Sequence, residues 1–309
     1  MTTLLYNHPV CAEHDMGHGH PECPDRLKAI LAALKHPEFA HLQWREAPEA
    51  TLEQLTRVHP ARYVERILAA VPRQGLHALD GDTALSPRSG EAALRAAGAA
   101  CAAVDAIMAG EANNAFCAVR PPGHHAEPSR AMGFCLFNNV AVGAAHARAA
   151  HGLERAAVID FDVHHGNGTQ AAFETQPAYM YISSHQSPLY PGTGRRSERG
   201  VGNIVNVPMP PYSGSEDLRE AWATFMEPAL RGFQPNFIFI SAGFDAHRLD
   251  PLAELNFTEE DYAWLTREIL DLAAEFCAGR VVSTLEGGYN LQALAASTAV
   301  HVKALMDAA

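Results

Sequence analysis

The sequence predicts a single α/β domain over residues 1–309, built on a mainly parallel sheet with helices on both faces. Three observations predict it. Apolar, β-rich runs of four to six residues recur, without the alternation that marks a half-wetted sheet. Helical stretches separate several of these runs. Polar motifs follow the runs at their carboxyl ends, where open parallel sheets carry their chemistry.

The elements follow in order. Arg26–Leu34 and Pro60–Ala70 carry short helical patterns between His- and Pro-rich loops, and read as a flank closing over the same rim. Gly90 to Gly110 is Ala-rich with helical spacing and reads as a packed helix. Strands are expected at Ala115–Val119, Ala156–Phe161, Tyr179–Ser183, Asn203–Val207, Asn236–Ser241 and Val281–Leu285. Helices are expected at Phe137–Ala150, Ser215–Arg231, Thr258–Ala278 and Leu291–Met306. No repeat, low-complexity tract or charge run interrupts this order.

Composition narrows the function. The chain has 23 Lys and Arg against 35 Asp and Glu, a formal charge of −12, and is 48% hydrophobic. Disorder is excluded as the main state by that apolar fraction. An acidic chain repels phosphate backbones, so direct nucleic-acid binding is not expected, whereas cationic substrates are attracted. No apolar run reaches the ~18 residues a membrane span needs. The start lacks a basic segment followed by an apolar one, so a cytoplasmic protein is expected. Cys11, Cys23, Cys101, Cys117, Cys135 and Cys277 form no Cys-x-x-Cys pair and read as free thiols. Histidine is the anomaly, with 17 copies, several beside each other or beside Asp.

The densest motif is Asp160-Phe-Asp-Val-His-His-Gly-Asn-Gly. A period of two on a strand puts Asp160, Asp162 and His164 on one side. Buried unpaired there, they would be costly; a divalent cation, or an Asp–His hydrogen-bond network, would remove that cost. Asp245, just past another strand, adds a carboxylate. One His and two carboxylates suit zinc with an open position. The tandem His124-His125 supplies proton-transfer groups, with Asp160 and Asn167 available as partners, one ionised and one neutral. Unequal partners would separate the two pKa values and divide the roles. In Glu286-Gly-Gly-Tyr, Gly287 and Gly288 let the backbone bend and approach a ligand, and they present Tyr289 as a donor to a developing oxyanion.

These residues sit within longer stretches: Gly19-His-Pro-Glu-Cys-Pro-Asp-Arg, Val119-Arg-Pro-Pro-Gly-His-His-Ala, Gly133-Phe-Cys-Leu-Phe-Asn-Asn, Asp160 to Gln170, Pro191-Gly-Thr-Gly, Ser241 to Leu252 and Leu285-Glu-Gly-Gly-Tyr-Asn. Together they resemble the histone deacetylase superfamily, nearest to class II deacetylases and their bacterial amidohydrolase relatives. The resemblance implies the arginase–deacetylase fold, with a parallel sheet of about eight strands. It implies zinc held by Asp162, His164 and Asp245, with His125 as general base and acid. His124 would be its electrostatic companion, paired to Asp160. Asn167 would pair with His125; class I relatives have Asp there. Tyr289 would polarise the acyl carbonyl. Gly133, Phe134 and Tyr190 would line the acyl-lysine tunnel, with Tyr190 standing where many relatives have Phe. Arg26 would hold glycine carbonyls below the tunnel floor. Potassium would bind at Asp160, Ser183 and the carbonyls of Asp162 and His164.

The implied reaction is hydrolysis of an acetyl or related acyl amide on a lysine side chain of a peptide or protein. The alternative substrate is an acetylpolyamine or another small acylated amine. Leu252 stands where a polyamine-selective relative has Glu, and no long N-terminal insertion of the polyamine-enzyme kind is present. Asp82, Glu22 or Tyr190 could supply the missing acceptor if they reach the mouth. An arginase-type ureohydrolase needs Asp-x-His-x-Asp, whereas this chain has Asp160-x-Asp162-x-His164. A non-catalytic acyl-amine binding module would be expected to have lost one of the reacting groups. Oligomeric state stays open.

Overall fold

The computed structural model describes residues 2–309. The first strands are β1 (Thr3–Asn7) and β2 (Gln43–Glu46), flanking α1 (Pro24–Ala33). Then come α2 (Leu52–Thr56), α3 (Ala61–Ala69) and a small antiparallel pair, β3 (His77–Ala78) with β4 (Ala84–Leu85). The long α4 (Ser89–Met108) leads to β5 (Asn114–Cys117), α5 (Asn139–His151), β6 (Ala156–Asp160), α6 (Asn167–Phe173), β7 (Tyr179–Gln186) and β8 (Ile204–Met209). The chain ends through α7 (Ser215–Ala221), α8 (Glu227–Phe233), β9 (Phe237–Ala242), α9 (Glu259–Cys277), β10 (Val281–Leu285) and α10 (Leu291–Ala308).

The main sheet has eight strands in the order β2-β1-β5-β10-β9-β6-β7-β8, and every pair is parallel. Every residue of β5, β6, β9 and β10 is buried, which explains why their sequences are mostly apolar and do not alternate. Register aligns their carboxyl ends: Asp160 pairs with Ser241, and Leu285 with Ala242. Four adjacent central strands therefore deliver their following loops to one place. No helix among the described residues is long and apolar enough to cross a membrane.

Several sequence expectations need correction. The N-terminal segment is more than a flank, because it adds β1 and β2 to the sheet. β2 is an edge strand with all four residues exposed, so it carries no apolar pattern. β6 stops at Asp160 rather than Phe161. Side-chain acceptors replace strand partners there, as Asp162 N donates to Asp160 Oδ1 at 3.2 Å and His164 N to Asp162 Oδ1 at 2.9 Å. Asp162 and His164 therefore lie on a bend beyond the strand, not on one strand face. Ser183, Ser184 and His185 lie within β7, where Asn206, Val207 and Pro208 of β8 are their register partners. The helix expected over Ser215–Arg231 is interrupted by a π-helical turn, Trp222–Met226. Pro228 follows in the first turn of α8 and has no N–H to donate back to Thr224, which accounts for the break in the α-helical ladder.

Candidate active site

The loop after β6 and the loop after β9 meet at Asp162, His164 and Asp245. His164 Nδ1 stands 3.0 Å from Asp162 Oδ1 and 3.1 Å from Asp245 Oδ2, and one donor atom from each residue lies within 4.8 Å of the others. All three residues are buried. The remaining carboxylate oxygens are held by backbone: Val163 N donates to Asp245 Oδ1 at 2.9 Å and Gly287 N to Asp162 Oδ2 at 2.8 Å. A Cβ at Gly287 would collide with both carboxylates, so this approach needs glycine. Burial disfavours a charged His164, yet Asp162 and Asp245 outweigh it and raise the imidazole to about 10. The corner thus favours positive charge at the point where two oxygens and one nitrogen converge. That donor set fits one zinc ion with a position left for water or substrate.

The loop after β5 brings His124 and His125 alongside, with ring centroids 4.0 Å apart. Glu286 fixes their backbone by accepting from Gly123 N at 2.6 Å and His124 N at 3.1 Å. His124 Nδ1 lies 3.0 Å from Asp160 Oδ2, which also accepts from the Tyr181 hydroxyl at 2.9 Å. Burial alone would lower His124, but Asp160 and Asp162 hold it well above the usual value. His125 Nδ1 instead faces the amide oxygen of Asn167 at 2.9 Å, and Asn167 Nδ2 donates to Glu127 Oε1 at 2.8 Å. Glu127 therefore orients the amide, and an amide oxygen only accepts. The proton of His125 sits on Nδ1, and Nε2 carries a lone pair. Burial and the neighbouring His124 and His164 imidazoles hold His125 well below its usual value.

Tyr289 arrives on the loop between β10 and α10. Arg26 donates from Nε to Gly288 O and from Nη2 to Glu286 O, both at 2.6 Å, so one of its two carbonyl partners is a glycine. Its guanidinium carbon lies 4.8 Å from the centroid of the Tyr289 ring. Gly288 has φ +119°, which other residues rarely adopt. Burial raises the Tyr289 phenol well above its usual value, so the hydroxyl keeps its proton and can donate.

These groups line one cavity of about 250 Å3. His125, His164 and Tyr289 contribute the polar lining; Gly133, Phe134, Leu189 and Tyr190 contribute walls, with Asp82 and Leu252 also present. Tyr190 meets the His125 ring edge-on at 5.1 Å, and Phe134 meets Tyr289 edge-on at 5.9 Å. Gly133 and Phe134 both have left-handed backbone, φ 56° and 69°, and a Cβ at Gly133 would strike the His125 ring. Thr83 ties this wall to Asp82: its hydroxyl accepts from Phe134 N at 3.0 Å and donates to Asp82 Oδ1 at 2.8 Å. Glu22 does not reach the cavity. It is fully buried between Arg26 and Arg120, whose charges hold it. Ser183 is the register partner of Asp160, and its hydroxyl lies 2.9 Å from His185 Nδ1.

A second His and Asp group lies away from this rim, on α4 and α5. His146 Nε2 and His151 Nε2 lie 2.6 and 2.7 Å from the same Asp105 oxygen. Arg57 lies 2.6 Å from His146 Nδ1 and can only donate, so His146 keeps its proton on Nε2. This group is a hydrogen-bonded cluster facing a guanidinium, unlike the corner at His164, where two carboxylates surround the nitrogen.

Sequence reasoning did not single out Glu286 as a carboxylate, nor Glu127, Tyr181 or Asp250. Glu286 lies inside the Glu-Gly-Gly-Tyr motif, but its partners are backbone amides of another loop.

Comparisons with known proteins point to one family. A model of the histone deacetylase domain matches residues 20–305. The chain is 43% identical over 280 residues to a histone deacetylase-like amidohydrolase of Pseudomonas aeruginosa, covering 88% of this chain and 73% of that one. It is 41% identical over 324 residues to the chloroplastic histone deacetylase 14 of Arabidopsis thaliana, covering 98% and 76%. A crystal structure of the HDA15 HD domain shares the fold with a TM-score of 0.94 at 36% identity, over 99% of this chain and 88% of that chain.

Proposed function

The chain belongs to the histone deacetylase family, and from that premise we propose that it is a zinc-dependent hydrolase removing acetyl or related acyl groups from lysine side chains of peptides and proteins. One observation carries the reading. A single cavity is lined by His164 of the metal-donor corner, by the His125 imidazole with a free Nε2 and by the protonated Tyr289 phenol.

Zinc held by Asp162, His164 and Asp245 would supply Lewis-acid polarisation and lower the pKa of water. His125 Nε2 takes the proton of the attacking water and returns one to the leaving amine, so amide and water become amine and carboxylic acid. Its position on Asn167 rather than on a carboxylate keeps it neutral and ready to accept. His124, held by Asp160, keeps positive charge beside the reacting centre and discourages a second proton on His125. The Tyr289 hydroxyl donates to the carbonyl oxygen as its negative charge grows. Phe134 and Tyr190 enclose the methylene chain and exclude water, while Gly133 lets the wall approach His125. Arg26 sets the Tyr289 loop from below. Asp160, Ser183 and the carbonyls of Asp162 and His164 would hold potassium, a reading supported by the pairing of Asp160 with Ser183 across β6 and β7.

Apolar Leu252 in the lining favours the peptide substrate over a polyamine. Asp82 in the same lining supports the second reading, a small acylated amine with a further cation. Cytoplasmic residence is supported by six free cysteines, five of them buried.

The test measures metal content and then acetate release from an acetyl-lysine peptide in competition with N-acetylated putrescine, cadaverine and spermidine. Zinc-dependent release with the peptide preferred is expected. Preferred turnover of the amines would move the assignment to the second reading, and no release from any of them would overturn both.

A further inference from the structure

Asp250 is a buried carboxylate that the proposed mechanism does not use. Its hydrogen-bond partners are backbone amides. Oδ1 accepts from Leu252 N at 3.0 Å, while Oδ2 accepts from Tyr289 N at 2.7 Å and more distantly from Asn290 N at 3.4 Å. The donors belong to two loops. One carries Leu252 into the cavity lining and the other carries Tyr289.

The second loop needs such an anchor. Its carbonyls are held by Arg26 at Glu286 and Gly288, and its far end by the Asn290 side chain, which accepts from Ala293 N at 3.0 Å. Gly287 and Gly288 contribute no side-chain packing. The amide of Tyr289 therefore depends on Asp250 alone for its hydrogen bond. Loss of this acceptor would leave the Tyr289 N–H without a partner at a mostly buried position, which is costly.

We propose that Asp250 is a positioning residue: one carboxylate joins the Leu252 loop to the Tyr289 loop and sets where the phenol stands over the cavity. The inference rests on the deacetylase reading for its catalytic consequence, and on geometry alone for the joint itself.

The test uses the zinc-loaded protein with Asp250→Asn and Asp250→Ala, alone and combined with Tyr289→Phe. Hydrogen–deuterium exchange of Tyr289 and Asn290 is measured against β10, together with zinc content, kcat and KM. Asp250→Asn should keep its zinc and leave β10 protection unchanged. Exchange at Tyr289 and Asn290 should rise by about 10-fold, as expected when a buried donor loses its acceptor. On the reaction side, kcat should fall by about 10-fold with KM within roughly twofold. In the Tyr289→Phe background the same change should cost almost nothing, because a residue acting through the hydroxyl has nothing left to position. Unchanged exchange at Tyr289 would overturn the joint. An equal loss of kcat in both backgrounds would overturn the positioning role. An inactive wild type, or one indifferent to Tyr289→Phe, would instead sink the deacetylase reading, and the exchange rates would still decide the joint. If Asp250→Ala fails to fold, Asp250→Asn alone decides.

Discussion

Asn167 accepts the Nδ1 proton of His125 at 2.9 Å, and this neutral contact separates that imidazole from its neighbour on Asp160. A general base must be unprotonated, so kcat/KM falls as pH drops through the His125 pKa. Burial and the adjacent imidazoles hold that pKa low, which keeps the acidic limb below neutrality. Asn167→Asp should raise the pKa by ~1–3 units and move the limb to higher pH. His125→Ala should lower kcat by ~10²–10⁴, and His124→Ala by less. Identical pH–rate profiles for the wild type and Asn167→Asp would contradict the division of roles.

Metal analysis provides an independent check. Zinc near one equivalent per chain is expected from a single corner of two carboxylates and one imidazole. Asp162→Ala and Asp245→Ala should each lose metal and turnover together. Activity that required two equivalents of manganese would point to a different chemistry.

Tyr289→Phe should retain zinc and fold while losing turnover. The hydroxyl contributes where charge develops, so its removal should cost about 3–4 kcal/mol, or ~10²–10³ in kcat, with KM little changed. Near-normal kcat would mean that the carbonyl is polarised without the phenol.

Selectivity should respond to Leu252. A glutamate there could pair with the second cation of a polyamine, and Leu252→Glu should shift the peptide-to-acetylspermidine ratio of kcat/KM toward the polyamine by roughly 10-fold. Asp82→Asn should shift it the other way if Asp82 already serves as an acceptor. A ratio indifferent to both changes would place discrimination elsewhere in the lining.

Stability should depend on Glu22, which is fully buried and bonded to Arg26 Nη1 at 3.0 Å and Arg120 Nη2 at 2.7 Å. Burial alone would raise its carboxyl, but Arg120, then His14 and Arg26, hold it well below its usual value of 4.5. A depressed carboxyl stabilises the fold above its unfolded pKa and loses that contribution as pH falls toward the folded value. Glu22→Gln should therefore destabilise by about 3–5 kcal/mol at pH 7 by leaving buried arginines unpaired. In denaturation at a series of pH values, the gap to wild type should stay constant down to about pH 5 and narrow below it. A gap that widens on acidification would show that the ion pairs do not stabilise the fold.

Legibility in the sequence followed physical locality. The central strands read clearly because burial on both faces makes each a mostly apolar run without alternation, as in Phe237–Ile240. Gln43–Glu46 could not be read as a strand, since all four residues face solvent at the edge. Asp162, His164, Asp245 and the His124-His125 pair were legible because each sits in a short motif just past a strand. Glu286, Glu127 and Asp250 act on groups from other parts of the chain, such as Gly123 N, Asn167 Nδ2 and Tyr289 N. Their roles become visible only once those partners are brought to them.

The connections after β5 and β9 carry reacting groups and lining residues together, His124 and His125 with Phe134 and Asp245 with Leu252, whereas the lining residues Asp82 and Tyr190 come from connecting segments that hold no reacting group. Insertions or replacements in those segments can change what the cavity accepts while the metal donors keep their spacing. The connections are not equally free to vary. The one bearing Leu252 shares Asp250 with Tyr289, so remodelling it also disturbs the phenol. Divergence of substrate range should therefore accumulate first around Asp82 and Tyr190, and reach Leu252 only with compensating changes near Tyr289.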